Sequence, residues 1–208
     1  MTFNAMGCGV EWAVSQPELQ PGQSLVIFGP GQRGLAGLLA AKSMGAGFVA
    51  LASLSRDSFK LDLAAELGAD LVVDVEKADP VEAVRRAVPE GVDAVVDMTP
   101  NATEPFVQAL QMIRAGGTVV IAGTKVKREV RGLTLDMIGR QRAVVKGTRG
   151  ASDDSVRKAI ALIESGAHPM ERFVTHQYPL EQSQEAIRTL AGEFPDPQAI
   201  NVVILPHA

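Results

Sequence analysis

Short apolar runs alternate with longer stretches of helix-forming composition through most of the chain. The runs are continuous rather than alternating apolar and polar, which is typical of parallel strands buried on both faces. Strands and helices in alternation predict βαβ units, and hence an α/β fold with a doubly wound parallel sheet in a single domain. The predicted strands are residues 24–28, 48–52, 71–75, 94–97, 118–122, 143–146 and 202–205. The predicted helices are residues 33–44, 57–67, 80–88, 104–113, 153–165 and 180–190.

Several helix boundaries carry their own signals. Gly45 and Gly68 follow helical stretches, as glycines at helix C-termini do. Pro80 and Pro105 suit the first turn of a helix, where a missing N–H costs nothing. Ser152 is of the type that caps a helix N-terminus. These residues therefore support the predicted alternation.

The first predicted strand runs directly into a glycine-rich turn. Gly29, Gly31 and Gly34 form a Gly-x-Gly-x-x-Gly pattern that leads into a helix. In this pattern the first glycine permits a tight turn, the second lets the backbone approach a phosphate, and the third lets the helix pack on the strand. Free N–H groups at the helix start also favour an anion. The context predicts a Rossmann dinucleotide site that includes Gln32; the alternative is an ordinary structural turn.

The end of the second predicted strand concerns the choice between NAD and NADP. An acidic residue there bonds the ribose hydroxyls in NAD sites, whereas this chain has Ser53. Without that carboxylate, Ser53, Ser55 and Arg56 become candidate donors to a 2′-phosphate, with Lys60 one turn further on. The sequence therefore favours NADP over NAD. Two alternatives stay open: Ser55 caps the next helix with Arg56 in solvent, or Asp57 turns back to a ribose.

Composition narrows the class of protein further. With 208 residues the chain is long enough for one large domain or two small ones. Its apolar fraction of 46% suffices for a hydrophobic core, and its charged fraction of 21% is ordinary. A net charge of −4 provides no basic face for nucleic acid, and a single cysteine excludes an internal disulfide framework. The sequence shows neither a membrane span nor a secretion signal. We therefore expect a cytoplasmic protein that binds neither nucleic acid nor membrane.

Seven segments stand in an order that one enzyme family shares. They are residues 7–10, 19–31, 41–47, 64–70, 91–97, 114–123 and 173–187. Together they resemble the coenzyme-binding half of the zinc-type medium-chain alcohol dehydrogenases, including the sorbitol, threonine and cinnamyl alcohol dehydrogenases. The resemblance covers nearly the whole chain. It implies hydride transfer between a small alcohol or carbonyl substrate and a nicotinamide coenzyme, and a homodimer that pairs sheets edge to edge near residues 143–146.

The resemblance also implies positions for the nicotinamide end of the coenzyme. Thr99 follows the fourth strand, where the family's chain passes beside the nicotinamide ribose. Ala122, Gly123 and Thr124 follow the fifth strand, and that backbone meets the nicotinamide in relatives. The alternative for Thr99 and Thr124 is that they are ordinary turn residues.

Two residues depart from the family's pattern. Arg33 stands within the glycine turn where relatives have a small apolar residue, and it either strengthens the phosphate site or points into solvent. Pro100 follows the fourth strand and has no N–H to offer a ligand.

The family's catalytic zinc has one possible ligand in this chain. Cys8 matches a cysteine that is often a zinc ligand in relatives, but one ligand cannot hold a four-coordinate zinc. The alternative is an unliganded thiol. His168, His176 and His207 lie far apart in the sequence and are not expected to bind catalytic metal. No catalytic residue is predicted, and zinc is expected only in a longer protein.

The predicted organisation is a remnant of an inter-domain junction over residues 1–20 and a Rossmann domain with a C-terminal strand over residues 21–208. An N-terminal zinc-binding catalytic domain is expected to be absent, which would expose the surface around residues 6–12. We expect such a chain to bind coenzyme and to show little or no activity. The alternative function is a stand-alone NADP(H)-binding sensor or regulatory module, and a weaker third is a methyltransferase.

Overall fold

Six parallel strands form the central sheet of the computed structural model, which describes residues 3–194 and 198–206. The strand order is β3-β2-β1-β4-β5-β6, so the direction of winding reverses between β1 and β4. The carboxyl ends of all six strands therefore meet at one edge, where a crevice opens at the reversal. The strands are β1 Ser24–Phe28, β2 Phe48–Ser53, β3 Leu71–Asp74, β4 Val92–Asp97, β5 Ile113–Ile121 and β6 Val144–Gly147.

Helices cover both faces of this sheet. Alternate side chains of β1 enter different cores: Leu25 and Ile27 pack on one face, Val26 and Phe28 on the other. The first face is covered by α1, α2, α3 and α7, and the second by α4, α5 and α6. The helices are α1 Phe3–Val10, α2 Gln32–Ser43, α3 Ser58–Glu66, α4 Pro80–Ala87, α5 Glu104–Met112, α6 Leu135–Gln141, α7 Asp153–Glu164 and α8 Ser183–Leu190.

Most predicted boundaries agree with the structure to within a residue or two. Gly45 and Gly68 have φ angles of +86° and +95°, as left-handed helix ends require. Ser152 caps α7 by accepting a hydrogen bond from the backbone N–H of Ser155. The largest difference is at β5, which starts at Ile113 instead of at residue 118. The predicted helix over residues 104–113 ends at Met112 for the same reason.

Residues 5–14 are more deeply buried than the sequence suggested. Helix α1 continues into a π-helical turn, Glu11–Ser15, and both pack against the domain. A Cβ placed on Gly9 would lie 2.6 Å from the backbone of Ala36, so only glycine lets α1 approach α2 this closely. Met6 is fully buried and Trp12 is 7% exposed. The expectation of an exposed surface around residues 6–12 is therefore wrong.

A second, two-stranded parallel sheet forms near the C-terminus. Strand β7 (Val174–Pro179) pairs with β8 (Asn201–Leu205), so the predicted C-terminal strand exists but does not extend the main sheet. His176 lies in β7, whereas His207 lies outside the described residues. Among the described residues, no helix combines the length and apolar character needed to cross a membrane.

Candidate functional site

A cleft of about 1110 Å³ opens at the carboxyl edge of the main sheet. The reversal between β1 and β4 forms its floor, as the topology predicts. Its walls come from the turn after β1, the end of β2, the end of β4, the start of α5 and residues 189–192. The walls include these sequence-predicted residues: Gly29, Gly31, Gln32, Arg33, Gly34, Ser53, Arg56, Lys60 and Thr99.

The turn between β1 and α2 has the geometry that its three glycines predict. Gly29 has a φ of +98°, which L side chains rarely adopt. A Cβ on Gly34 would lie 1.9 Å from the carbonyl oxygen of Gly29, so the helix packs against the turn only because Gly34 has no side chain. Gly31, by contrast, faces open space. It caps α2 without any side-chain hydrogen bond, which leaves the N–H groups of the first helical turn facing the cleft.

Arg33 is held at the mouth of this turn. Its guanidinium lies over the ring of Trp12, 5.4 Å from the ring centroid, in a cation–π contact. Trp12 is itself fixed, because its Nε1–H donates to the carbonyl of Gly150 at 2.7 Å. The side chain therefore stays at the wall of the cleft, with its charge beside the start of α2.

The buried thiol of Cys8 lies behind the same wall. Burial raises the pKa of this thiol, and the nearby Arg33 guanidinium opposes the rise. In the part of the chain that the structure describes, no three His, Cys, Asp or Glu side chains group closely enough to hold a metal ion. The described residues therefore do not fit a catalytic zinc site, and a role for Cys8 in one stays a prediction.

A carboxylate lies at the end of β2, although it belongs to a residue that follows the strand. Asp57 ends a short 3₁₀ turn, Ser55–Asp57, and lines the cleft. Its Oδ2 accepts a hydrogen bond from the Ser53 hydroxyl at 3.0 Å, and its Oδ1 pairs with the Lys60 ammonium at 2.6 Å. The Ser55 hydroxyl turns away and donates to Asp74. Ser55 therefore neither caps α3 nor lines the cleft.

The ends of β4 and β5 are fastened to each other by a buried ion pair. Asp97 is fully buried; its Oδ1 accepts hydrogen bonds from the backbone N–H and the hydroxyl of Thr99. The Lys125 ammonium lies 2.7 Å from Asp97 Oδ2 and also donates to the carbonyl oxygen of Thr99 at 2.7 Å. Thr99 is thus held by contacts on both sides, at the place where the nicotinamide ribose is expected.

The backbone after β5 is largely engaged in the same connection. The N–H groups of Ala122 and Gly123 both donate to the carbonyl of Asp97 at 2.9 Å. The carbonyl of Thr124 accepts from the N–H of Asn101. These three residues and Ser55 lie outside the walls of the cleft. Their predicted contact with coenzyme stays a prediction.

Sequence reasoning did not assign a role to three charged residues of the site. Asp97 and Lys125 are 28 residues apart, and nothing in their local sequence indicates that they meet. Glu104, at the start of α5, also lines the cleft; hydrogen bonds from its own and the Thr103 N–H groups, with Arg128 and Lys125 nearby, lower its pKa. The sequence left open that Asp57 turns back, and the structure places its carboxylate at the end of β2, next to the Ser53 hydroxyl.

The strand order and the glycine turn define a Rossmann-like α/β domain, and known structures share it. The 2R,3R-butanediol dehydrogenase of Bacillus subtilis superposes with a TM-score of 0.85, at 24% identity, over 99% of this chain and 56% of that one. A protein described as a zinc-binding dehydrogenase from Sinorhizobium meliloti 1021, bound to NADP, gives a TM-score of 0.84 at 26% identity over 98% of this chain and 58% of that one.

Sequence comparison identifies the family. The family model described as zinc-binding dehydrogenase matches residues 34–165. The protein named "Probable alcohol dehydrogenase adh" from Mycobacterium tuberculosis is 39% identical over 206 residues, which cover 98% of this chain and 56% of that protein. The D-arabitol-phosphate dehydrogenase of Enterococcus avium is 32% identical over 87% of this chain and 51% of its own length. This chain therefore belongs to the zinc-binding dehydrogenase family, and it spans about half the length of these relatives.

Proposed function

We propose that this chain is the coenzyme-binding domain of a zinc-dependent alcohol or polyol dehydrogenase and that it binds a nicotinamide dinucleotide in the cleft. The observation that carries the proposal is the turn from Gly29 to Gly34, with open space over Gly31 and uncapped N–H groups of α2 facing the cleft. These groups fit a pyrophosphate, because N–H donors and the helix dipole favour an anion there.

Each wall of the cleft takes a defined part of the coenzyme in this proposal. The α2 N-terminus, with Arg33 beside it, holds the pyrophosphate. The end of β2 holds the adenosine ribose, and the end of β4 faces the nicotinamide, with Thr99 held by Asp97 and Lys125. When bound, the nicotinamide exchanges a hydride with an alcohol or carbonyl substrate. The chain's own residues bind and orient the coenzyme.

No described residue is assigned to substrate activation. The described residues do not fit a zinc site, so the proposal includes no zinc-dependent step within this chain. It holds that the isolated chain binds coenzyme and turns over little or no alcohol. The alternative, a stand-alone sensor or regulatory module, shares the coenzyme site and differs in having no catalytic partner.

The preference for NADP stays a prediction, and the contacts now weaken it. Of its four candidate donors, Ser53 and Lys60 already contact Asp57, and Ser55 contacts Asp74. Only Arg56 faces the cleft without a hydrogen bond or ion pair to another described residue. The NADP-bound neighbour shares the fold, but its coenzyme is a property of that protein.

The proposed homodimer uses the free edge of the main sheet. Val144 and Val145 of β6 are 44% and 39% exposed, and an unpaired edge strand favours pairing with a second copy. Arg140 and Arg142 are exposed next to this edge. Because a second copy paired on this edge would bring its own Arg140 and Arg142 to the same region, we expect the dimer to strengthen with added salt, which sedimentation velocity at low and high ionic strength measures.

We also propose that the protein is located in the cytoplasm.

Direct titration tests the proposed function. The chain is titrated with NADH and with NADPH while the fluorescence of the reduced coenzyme is followed, and alcohol oxidation is assayed in parallel. Saturable binding of either coenzyme, with little or no alcohol oxidation, supports the proposal. Binding of neither coenzyme contradicts it. Alcohol oxidation by the isolated chain contradicts the claim that catalysis needs a further domain.

A further inference from the structure

We propose that Asp57, from beyond the end of β2, accepts the ribose hydroxyls of the coenzyme and makes this chain selective for NAD(H) over NADP(H). This inference rests on the proposed function and reverses the preference that the sequence alone indicates. It assigns the selectivity to a residue four positions past Ser53, the place where an acidic residue is ordinarily sought.

The position of the Asp57 carboxylate carries the argument. The 3₁₀ turn Ser55–Asp57 folds the chain back, so that Asp57 Oδ2 lies 3.0 Å from the hydroxyl of Ser53. The carboxylate therefore stands at the end of β2 although the strand itself ends in a serine. It lines the same cleft as Gly29 and Gly31, on the side where the adenosine half of a dinucleotide would lie.

Asp57 has acceptor capacity left for a diol. A carboxylate offers about four lone-pair sites. One oxygen accepts from Ser53 and the other pairs with Lys60, with 2.6 Å between Oδ1 and Nζ. About two sites therefore remain for hydroxyl donors such as the 2′ and 3′ hydroxyls of a ribose. The two contacts also hold the carboxylate in place, so that little side-chain freedom is lost when a ligand binds.

The same contacts disfavour a 2′-phosphate. The Ser53 hydroxyl has a single proton, and it is directed at Asp57 instead of at the cleft. The positive charge of Lys60 is offset by its ion pair with Asp57. A second carboxylate, Glu76, lines the cleft nearby and accepts from the N–H of Ser55. A phosphate placed there would face two carboxylates, with Arg56 as the one opposing cation that no described residue pairs.

The test compares dissociation constants for NADH and NADPH in the wild-type chain and in the variant Asp57→Asn. Asparagine keeps the shape and one acceptor but removes the charge. Asp62→Asn is the matched control, because Asp62 is exposed on the following helix and makes no hydrogen bond or ion pair to the residues that the structure describes. Circular dichroism and thermal unfolding confirm that each variant folds.

We expect the wild-type chain to bind NADH at least tenfold more tightly than NADPH. In Asp57→Asn this ratio should fall by about 10- to 100-fold, because charge-assisted hydrogen bonds to the ribose are lost and repulsion of the phosphate is relieved. Lys60→Met should raise the ratio, because it leaves the Asp57 charge uncompensated. Asp62→Asn should leave the ratio unchanged.

Three results would overturn the inference in distinguishable ways. Tighter binding of NADPH by the wild-type chain contradicts the selectivity while the proposed function stands. An unchanged ratio in a folded Asp57→Asn variant shows that Asp57 does not read the ribose, and again the proposed function stands. Binding of neither coenzyme by the wild-type chain removes the proposed function and this inference with it.

Discussion

The polar groups at the carboxyl edge of the main sheet differ between two regions, the β1–α2 turn and the ends of β4 and β5. At the turn between β1 and α2, no described side chain caps the helix and the space over Gly31 is open, so the N–H donors of the first helical turn are left unused by the described residues. At the ends of β4 and β5, Asp97, Thr99 and Lys125 contact one another through hydrogen bonds and an ion pair, and among the described residues Asp97 Oδ2 is met by that ion pair alone. The first region is therefore arranged for a ligand, whereas the second fastens two strands and offers a ligand mainly its shape.

Removal of the Lys125 charge should have the largest effect on the free energy of unfolding, because it breaks the ion pair that joins the ends of β4 and β5. Asp97 is fully buried, and its Oδ2 is paired with Lys125 and with no neutral donor among the described residues. Lys125→Met leaves this charge uncompensated, which costs about 3–5 kcal/mol for a buried pair. Urea unfolding followed by circular dichroism measures the loss.

Two further variants make that result specific. Lys77 pairs with Asp74 at 2.8 Å but is 73% exposed, so Lys77→Met should cost no more than about 1 kcal/mol. The double variant Asp97→Asn, Lys125→Met should recover part of the stability, because no unpaired charge stays buried. If Lys125→Met unfolds at the same urea concentration as the wild type, the ion pair does not fasten the strands.

The same contrast explains what the sequence could predict. The β1–α2 turn is built from residues 29–34, so its conformation follows from local glycine chemistry, and the prediction of its geometry is confirmed. The pairing of Asp97 with Lys125 depends on how β4 and β5 lie side by side, and no local pattern encodes that. The burial of α1 was missed for the same reason, since it depends on the close approach of Gly9 to a distant helix.

The end of β2 lies between these two cases. The strand and its terminal Ser53 were predicted, within one residue of the observed end. The roles of the following residues were left open between alternatives, because a single 3₁₀ turn decides which side chains face the cleft. That turn directs Ser55 to Asp74 and returns Asp57 to Ser53. A serine at the strand end therefore does not mean that a carboxylate is missing.

The stability that Glu11, next to Trp12, contributes to the fold should fall as the pH is lowered. Burial raises the pKa of Glu11, but hydrogen bonds from Ser152 and Gln16 outweigh it and lower the pKa from 4.5 to about 2. Because the folded-state pKa is depressed, this stabilisation is fully present above about pH 4.5 and is lost as the pH falls toward 2. A shift of this size corresponds to about 3 kcal/mol.

The variant Glu11→Gln isolates this contribution. Its free energy of unfolding should lie about 3 kcal/mol below the wild-type value at neutral pH, and the gap should shrink as the pH approaches 2. Glu164→Gln, an exposed position at the end of α7, is the control and should show no such gap. A gap that stays constant with pH would mean that Glu11 acts through packing instead of through its charge.

Two glycine variants at the turn separate folding from binding, with the smallest expected change in stability. A Cβ on Gly34 would meet the Gly29 carbonyl oxygen at 1.9 Å, so Gly34→Ala should lower the free energy of unfolding by about 1–3 kcal/mol.

A Cβ on Gly31 would meet nothing within 4 Å, and its φ of −64° suits alanine. Gly31→Ala should therefore keep its stability to within about 0.5 kcal/mol and weaken coenzyme binding, because the new methyl occupies the space proposed for the phosphate. Unfolding and NADH titration of both variants measure the two effects, and undiminished binding by Gly31→Ala would show that the open space at the turn does not receive the pyrophosphate.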